Sequence, residues 1–335
     1  MVGLGKGIFR RLSMRRIFII FFGGVLFLTF VYPSLSQTEK KELKGGLTLS
    51  GAWALYPIGL KWAEEFQKLY PDVKIDVQAG GAGKGIADAL AGMVDIGMVS
   101  RNIQPVEVEK GAFAIAVTKD AVIPTINSRN PLVNELLTKG VKREQFIDIW
   151  ITTKVKTWGE LVGIRSDSAI HVYTRSDACG AAETWAAYLG KRQEDLAGVG
   201  VYGDPGLADA VKRDSLAIGY NNVNFAYDAK TKRPIEGIRI LPIDINGNGQ
   251  IESEENFYST RDELTQAIAK NIYPSPPARE LYFVTKGTPQ KRVLVEFIKW
   301  VLTKGQKYVP ETGYICLSSE RLAEGLEKLS PKSSF

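Results

Sequence analysis

The amino-acid sequence predicts an α/β protein of two lobes. The chain has 335 residues, which is longer than a single hydrophobic core usually grows. Short apolar runs alternate with amphipathic helical patterns, as in α/β lobes with largely parallel sheets. Three small-residue corners also lead from a predicted strand into a predicted helix. In such sheets, ligands bind beyond the carboxyl ends of the strands.

Residues 1–36 have the layout of a secretory signal peptide. A basic region precedes the uncharged run 17–32, and Ser34 and Ser36 supply small residues at alternate positions. The alternative is an uncleaved anchor helix, although the run is short for the roughly 20 residues that a span needs. Both interpretations predict an exported body, periplasmic or at the cell surface. The basic residues of this leader are Lys6, Arg10, Arg11, Arg15 and Arg16.

The leader also explains the charge of the chain. Its cations account for five of the six net positive charges, so the rest of the protein is almost neutral. Without a basic stripe, a nucleic-acid-binding role is not supported.

The predicted strands are apolar and several are rich in β-branched residues. One predicted helix has Pro57 in its first turn and presents Ile58, Trp62 and Phe66 on one face. A second amphipathic helix covers residues 293–302. The strand candidates are residues 47–50, 74–78, 95–99, 113–117, 170–174, 216–220, 238–242 and 281–284.

Each of the three corners combines small residues with the start of a helix. They read LTLSGAWALYP, VQAGGAGKGIADAL and YTRSDACGAAETW. Small residues let an anion approach the backbone N–H groups and the positive end of the helix dipole. Arg175 in the third corner adds a fork of N–H donors. The corners together predict an anion-binding site.

Other sites are disfavoured by the sequence. The second corner does not match a nucleotide-binding P-loop, because Gln78 stands at the first glycine position and Gly85 follows Lys84. A single histidine, His171, argues against zinc and against a Ser-His-Asp hydrolase, and it is predicted to be a strand residue. Cys179 and Cys316 are predicted to be unpaired.

The chain resembles the phosphate-binding proteins of ABC transporters over about residues 46 to 330. The motifs that carry the resemblance are SGAWALYPIGLKWAEEF, GGAGKGIADALAGMVDIGMVSR, TRSDACGAAETW, LAIGYNNVNFAY, YPSPPARELYFVTKG and ETGYICLS. The resemblance implies a periplasmic-binding-protein fold with a ligand cleft between the lobes. Crossovers are expected near Val122 and Arg279, with residues 46–121 and 280–331 in lobe 1 and 122–279 in lobe 2.

The resemblance also implies a function. The protein would capture inorganic phosphate and deliver it to a membrane permease, without being an enzyme, and as a monomer. Arg175 would bind the oxyanion and Asp177 would orient Arg175. The candidate ligand-binding residues are Ser50, Ala52, Trp53, Ala54, Gly83, Lys84, Gly85, Ser100, Arg101, Arg175, Asp177, Cys179, Gly180 and Ala181.

This sequence departs from the family at several of these positions. Members commonly have hydroxyls where this chain has Ala54, Cys179 and Ala181, and some use an aspartate near Ser100 to accept the proton of hydrogen phosphate. A carboxylate facing fully ionised sulfate is costly, and a serine repels sulfate much less. Molybdate, tungstate and sulfate therefore remain open as ligands.

The segment DINGNGQIESEE has the spacing of an EF-hand calcium loop. Oxygen-bearing residues stand at the ligand positions, Gly249 occupies the position of the sharp turn, and Glu255 the position of the bidentate ligand. A structural calcium ion is predicted, and the alternative is a polar hairpin, because a strand precedes the loop. The candidate ligands are Asp244, Asn246, Asn248, Gln250 and Glu255, with Glu252 at the ninth position.

Two other functions compete with the binding protein. Cys179 at a helix start could be a nucleophile in an exported phosphatase or esterase. A calcium-stabilised scaffold would bind no small anion at all.

Overall fold

The computed structural model describes residues 42–330. The predictions for residues 1–36 and for position 331 lie outside this range. Every strand predicted from the sequence overlaps a strand of the structure, and one further strand, Val199–Val201, was not predicted. Within residues 42–330 no helix has both the length and the apolar character needed to cross a membrane. The strands are β1 (Gly45–Gly51), β2 (Val73–Ala79), β3 (Ile96–Val99), β4 (Ala112–Asn127), β5 (His171–Arg175), β6 (Val199–Val201), β7 (Ala217–Asn222), β8 (Ile238–Ile240) and β9 (Ala278–Lys286).

The helices lie between these strands and after β9, and several end or begin as their local sequence requires. For example, α6 and α9 begin with capping boxes at Thr157 and Thr260. The helices are α1 (Tyr56–Leu69), α2 (Ala82–Ala91), α3 (Pro105–Glu109), α4 (Val133–Lys139), α5 (Arg143–Trp150), α6 (Trp158–Val162), α7 (Gly180–Tyr188), α8 (Gly203–Arg213), α9 (Arg261–Ala269), α10 (Arg292–Leu302), α11 (Tyr308–Glu311) and α12 (Ser319–Lys328). Short 3-10 helices cover Trp53–Leu55, Gln193–Asp195, Val223–Phe225 and Lys304–Lys307.

The strands form a mixed sheet in the order β2-β1-β3-β9-β4-β7-β5-β6, with β8 paired to β4. β1 is parallel to β2 and β3, and β5 is parallel to β6 and β7. The pairs that include β4 or β9 are antiparallel. The prediction of largely parallel sheets was therefore wrong, because these two long strands cross between the halves of the sheet.

β4 is shared by two hydrophobic cores. Its residues 112–121 pair with β9, and its residues 122–127 pair with β7 or β8. One core draws its buried residues from positions 43–117 and 281–329, and the other from positions 121–278 together with Ile315. We call these lobe 1 and lobe 2, and both chain crossings between them lie in β4 and at the start of β9.

Glycines allow helix α2 to pack directly on the strands of lobe 1. A Cβ atom on Gly85 would lie 2.6 Å from the carbonyl oxygen of Met98 and 2.7 Å from that of Ser50. Gly81, which precedes the helix, has a φ of +90°, a conformation that favours glycine. These contacts fix the amino end of α2 at the edge of lobe 1 that faces lobe 2.

Candidate anion-binding cleft

The third corner is built from the end of β5 and the start of α7. β5 ends at Arg175, and Cys179 caps α7, with its Sγ accepting the N–H of Ala182 at 3.4 Å. The N–H groups of Gly180 and Ala181 open the helix, and N–H groups of a first turn have no acceptor within their own helix. This corner therefore directs backbone donors and the positive end of the α7 dipole to one point.

Arg175 lies beside that helix start and is held by two carboxylates. Its Nε and Nη2 donate to the two oxygens of Asp177 at 2.8 and 2.6 Å, and its Nη1 donates to Asp204 at 2.6 Å. The guanidinium is buried. Burial disfavours its charge, but Asp204, Cys179 and Asp177 outweigh that effect and raise the pKa of Arg175 above its ordinary value. It remains a cation with further N–H groups to donate.

The two carboxylates are themselves fixed by lobe 2. Asp204 accepts the backbone N–H of Asn222 at 3.2 Å and its side-chain amide at 2.7 Å. Asp177 accepts the backbone N–H of Gly203 at 3.2 Å. Sequence reasoning predicted Asp177 as the residue that orients Arg175 but did not find Asp204 or Asn222. The only signal for Asn222 was its place in the motif LAIGYNNVNFAY.

The two lobes touch across this corner. The N–H of Gly83 in α2 donates to the carbonyl of Ala178 at 3.1 Å. Gly180 of lobe 2 packs closely on Ser100 of lobe 1. A Cβ atom added to Gly180 would lie 2.7 Å from the carbonyl carbon of Ser100. The cleft is closed in this structure, and the starts of α2 and α7 face each other.

Trp53, in the first corner, also reaches lobe 2. A Cβ atom on Gly203 would lie 3.3 Å from its indole ring, and its ring packs edge-on against Phe225 at 6.3 Å. The N–H groups of Trp53 and Ala54 open the 3-10 turn that leads into α1. The N–H of Ala52 is not available to a ligand, because it donates to the carbonyl oxygen of Met98. Trp53 and Ala54 are the better placed donors of this corner.

Three predicted binding residues have side chains committed elsewhere. Lys84 pairs with Asp88 one turn along α2 and also donates to the hydroxyl of Ser50 at 2.9 Å. The Ser50 hydroxyl in turn donates to Asp88 at 2.7 Å. Arg101 forms a two-pronged pair with Glu107 at 2.7 and 2.9 Å.

The N–H of Gly85 is likewise used within the helix, where it donates to the carbonyl of Gly81. Of the residues predicted in the second corner, Gly83 is the one whose N–H bonds across the cleft. The structure thus concentrates the predicted residues around Arg175 and the opposing start of α2.

A second arginine links the crossing strands to the anion corner. Arg279, in β9, donates through Nε to Asp120 of β4 at 3.0 Å. Its other nitrogens reach the carbonyl of Gly180, the hydroxyl of Thr184 and the side chain of Asn222. Burial raises the pKa of Asp120 to about 6, although the charge of Arg279 opposes the rise. Arg279 is a positioning residue for α7 that sequence reasoning expected only as a crossover point.

The thiol of Cys179 is buried beside Arg175. Burial raises the pKa of Cys179 to about 12, although Arg175 acts in the opposite direction. Cys179 and Cys316 are both unpaired, as predicted. His171 begins β5, as predicted, and its ring pairs with Asp214 at 2.7 Å.

The predicted metal ligands lie together in the connection between β8 and α9. Within residues 42–330, no group of three or more His, Cys, Asp or Glu side chains could hold a metal ion. The predicted calcium ligands do not form a group of that kind, because only two of them, Asp244 and Glu255, are carboxylates. The other three predicted ligands are the amide side chains of asparagine and glutamine.

Comparison with known proteins places this chain in a family. A model of the PBP superfamily domain matches residues 36–304. The chain belongs to the PBP superfamily. A relative in this superfamily, the phosphate-binding protein PstS of Xylella fastidiosa, is 25% identical over 324 residues, which cover 85% of this chain and 84% of the relative.

Two solved structures share the fold. One, from Clostridium perfringens, is assigned to the phosphate ABC transporter substrate-binding proteins and contains bound phosphate; its TM-score is 0.67 at 23% identity, with 82% of this chain and all of that chain covered. The other is an ABC-type phosphate transport receptor from Vibrio cholerae, with a TM-score of 0.59 at 20% identity and coverage of 81% and 100%. These matches confirm the two-lobed α/β fold and the resemblance inferred from the sequence motifs.

Proposed function

We propose that this PBP-superfamily chain is an exported substrate-binding protein that captures inorganic phosphate in its cleft and delivers it to the membrane permease of an ABC transporter. The observation that carries the proposal is Arg175. It is a buried, charged fork at the start of α7, and it lies where the start of α2 closes from the other lobe. The relative named phosphate-binding protein PstS, which this chain covers over 84% of its length, supports the same ligand.

Asp177 gives a reason to prefer phosphate over sulfate. A Cβ atom on Gly81 would lie 3.0 Å from Oδ2 of Asp177, so this carboxylate oxygen of lobe 2 faces the α2 corner of lobe 1. This oxygen already accepts an N–H of Arg175, and hydrogen phosphate can donate its proton to a remaining lone pair, whereas fully ionised sulfate has no proton to donate and is repelled by the carboxylate. Asp177 can therefore provide the discrimination that other family members obtain from an aspartate near the position of Ser100.

A transport role without catalysis is supported by the state of Cys179. A nucleophilic cysteine needs a lowered pKa and access to its substrate. Here the thiol is buried, its pKa is raised, and its sulfur accepts the N–H of Ala182. The leader pattern of residues 1–36 supports export, and we propose that the protein acts as a monomer.

The proposal is tested by calorimetry on the full chain after unfolding and refolding to remove any bound ligand. Phosphate, sulfate, molybdate and tungstate are titrated separately. We expect phosphate to bind most tightly. Arg175→Lys should lower that affinity by about tenfold to a hundredfold, because an ammonium cannot reproduce the charge-assisted fork while it also serves two carboxylates.

Arg321→Ala is a control variant, because this arginine of α12 pairs with Glu280 and Glu324, neither of which is a candidate binding residue. It should bind phosphate as the unmodified chain does. If another oxyanion binds more tightly than phosphate, the proposed site is supported but that oxyanion, and not phosphate, is the ligand. Absence of any oxyanion binding, or hydrolysis of aryl phosphates that Cys179→Ser abolishes, would overturn the proposal.

A further inference from the structure

The loop 244–255 of lobe 2 contains a buried carboxylate oxygen without a partner. Glu255 is only 5% exposed. Its Oε1 accepts the N–H groups of Ile245 and Asn246 at 2.8 and 3.0 Å. Its Oε2 is buried and has no hydrogen-bond partner. A buried charged oxygen without a partner is costly, so a ligand that supplies one would stabilise this loop.

The other side-chain oxygens at the predicted ligand positions bond to N–H groups of the same loop. Asp244 is 3% exposed, and its two oxygens accept the N–H groups of Gly247 and Gly249 at 2.7 and 2.8 Å. The side-chain oxygens of Asn246 and Asn248 accept N–H groups two residues further along, both at 2.9 Å. These bonds hold the side chains of three predicted ligand positions against the backbone of one short loop.

We propose that this loop binds a calcium ion. The ligands are side-chain oxygens of Asp244, Asn246 and Asn248, the backbone carbonyl of Gln250, and both oxygens of Glu255. The unpartnered Oε2 of Glu255 then gains the cation as its partner. Oxygen ligands of mixed type, with a bidentate glutamate at the twelfth position, are what calcium prefers in proteins. The two carboxylates balance the charge of one divalent cation.

A nearby ammonium group does not replace the ion. Lys142 donates to the backbone carbonyl of Gly247, on the fourth position of the loop. Neither oxygen of Asp244 accepts a bond from it, and Oε2 of Glu255 has no partner at all. Lys142 is therefore bonded to the backbone of the loop, and the carboxylates of Asp244 and Glu255 accept their bonds from N–H groups of the loop.

The site has a structural consequence because the first and eighth residues of the loop are attached to the residues that end α4 and join it to α5. The N–H of Asp244 donates to Val141 at 3.1 Å, and the N–H of Ile251 donates to Thr138 at 2.8 Å. The side chain of Ile251 packs directly on Gly140. Calcium in the loop would therefore hold the β8–α9 connection against the turn between α4 and α5. A strand, rather than a helix, leads into the site, since β8 ends at Ile240.

The test uses the full chain, treated with EDTA and transferred to phosphate-free buffer. Calorimetry with calcium chloride up to roughly 5 mM covers the 10⁻⁴–10⁻³ M range of extracellular calcium modules. We expect one ion per chain and a rise in melting temperature with calcium. Since the readout contains no oxyanion, its result is independent of the proposed phosphate binding.

Glu255→Gln is the decisive variant. Its amide oxygen can still accept the N–H groups of Ile245 and Asn246, while an NH₂ group replaces Oε2. We expect calcium affinity to fall at least a hundredfold and the metal-free melting temperature to stay the same or rise. Glu254→Gln, at the exposed neighbouring position, should bind calcium normally.

Three results would overturn the proposal. The first is that the unmodified chain takes up no calcium over this range. The second is that Glu255→Gln binds calcium as tightly as the unmodified chain. The third is equal affinity for magnesium, which would show that the loop does not form the larger, flexible oxygen cage that distinguishes calcium sites.

Discussion

Nη1 of Arg175 lies 2.6 Å from Oδ2 of Asp204, and both side chains are buried. The arginine of the anion corner is thus part of an ion pair before any ligand is considered. Since Asp177 takes two further N–H groups, the guanidinium is fixed in one orientation within lobe 2. Its preorganisation lowers the entropy cost of binding an oxyanion.

Asp204→Asn should lower the free energy of unfolding by about 3 kcal/mol, because it leaves a buried guanidinium with one carboxylate fewer. Denaturant unfolding measures this change. Asp209→Asn is the matched control on the same helix, since Asp209 is half exposed and pairs with an exposed Arg213. It should change stability by less than about 0.5 kcal/mol. Equal losses in the two variants would contradict the role given to Asp204.

Gly180→Ala should prevent closure of the cleft. The added Cβ atom would lie 2.7 Å from the carbonyl carbon of Ser100 in the opposite lobe. Because alanine is itself favourable in a helix, lobe 2 should fold normally while the lobes stay apart. We expect at least a hundredfold weaker phosphate binding by calorimetry.

Gly206→Ala is the control for this variant. Gly206 lies in α8, and a Cβ atom there would meet only the side chain of Val201 in the same lobe, at 3.1 Å. Phosphate binding should therefore be retained. Normal binding by Gly180→Ala would mean that the ligand does not require the closed arrangement.

Asp120 should make stability depend on pH between about 4 and 6. Burial raises the pKa of its carboxyl to about 6, above the ordinary value of 3.8. The folded state therefore holds this proton more tightly than the unfolded chain. The stabilisation is fully present below pH 4 and is lost as the pH rises towards 6, by about 3 kcal/mol in total.

The measurement compares the unfolding free energy of the unmodified chain and of Asp120→Asn at several pH values. Other carboxyl groups are common to both chains and cancel in the difference. The advantage of the unmodified chain should shrink from pH 4 to pH 6 and then stay constant. A difference that does not change with pH would contradict this prediction.

The two cysteines should differ in reactivity. Cys316 is exposed, whereas Cys179 is buried and has a pKa raised to about 12. Iodoacetamide at pH 8 should alkylate Cys316 in the folded protein and Cys179 only after unfolding, as followed by mass spectrometry. In Cys316→Ser the folded chain should remain unmodified. Rapid alkylation of Cys179 would instead revive the nucleophile hypothesis.

The sequence predicted much of the fold because apolar residues recur with the period of a strand or of a helix wherever one face of that element is buried. The eight predicted strands are present, and the corner at Arg175 was found from its local residues. Lys84 shows the limit of local reasoning. It lies in a predicted corner, but its ammonium group pairs with the carboxylate of Asp88, one turn along α2, and not with a group across the cleft.

The partners of the central arginine could not be predicted in the same way. Asp204 lies in the first turn of a different helix, and Asn222 ends a different strand, so only the folded chain brings them together. Nothing in the apolar pattern tells which polar groups will meet. The parallel pairing of β5 with β7, which brings Arg175 and Asn222 to the same end of the sheet, joins segments far apart in the sequence.

The continuity of β4 also affects how the protein unfolds. The same strand completes the sheet of lobe 1 up to Ala121 and that of lobe 2 from Val122 onward. If β4 left the sheet, the edge of β9 and the edge of β7 would both be exposed. The backbone groups of these two strands would then lose their hydrogen-bond partners in β4. The two hydrophobic cores should therefore melt in one cooperative transition, although each has the size of a separate domain.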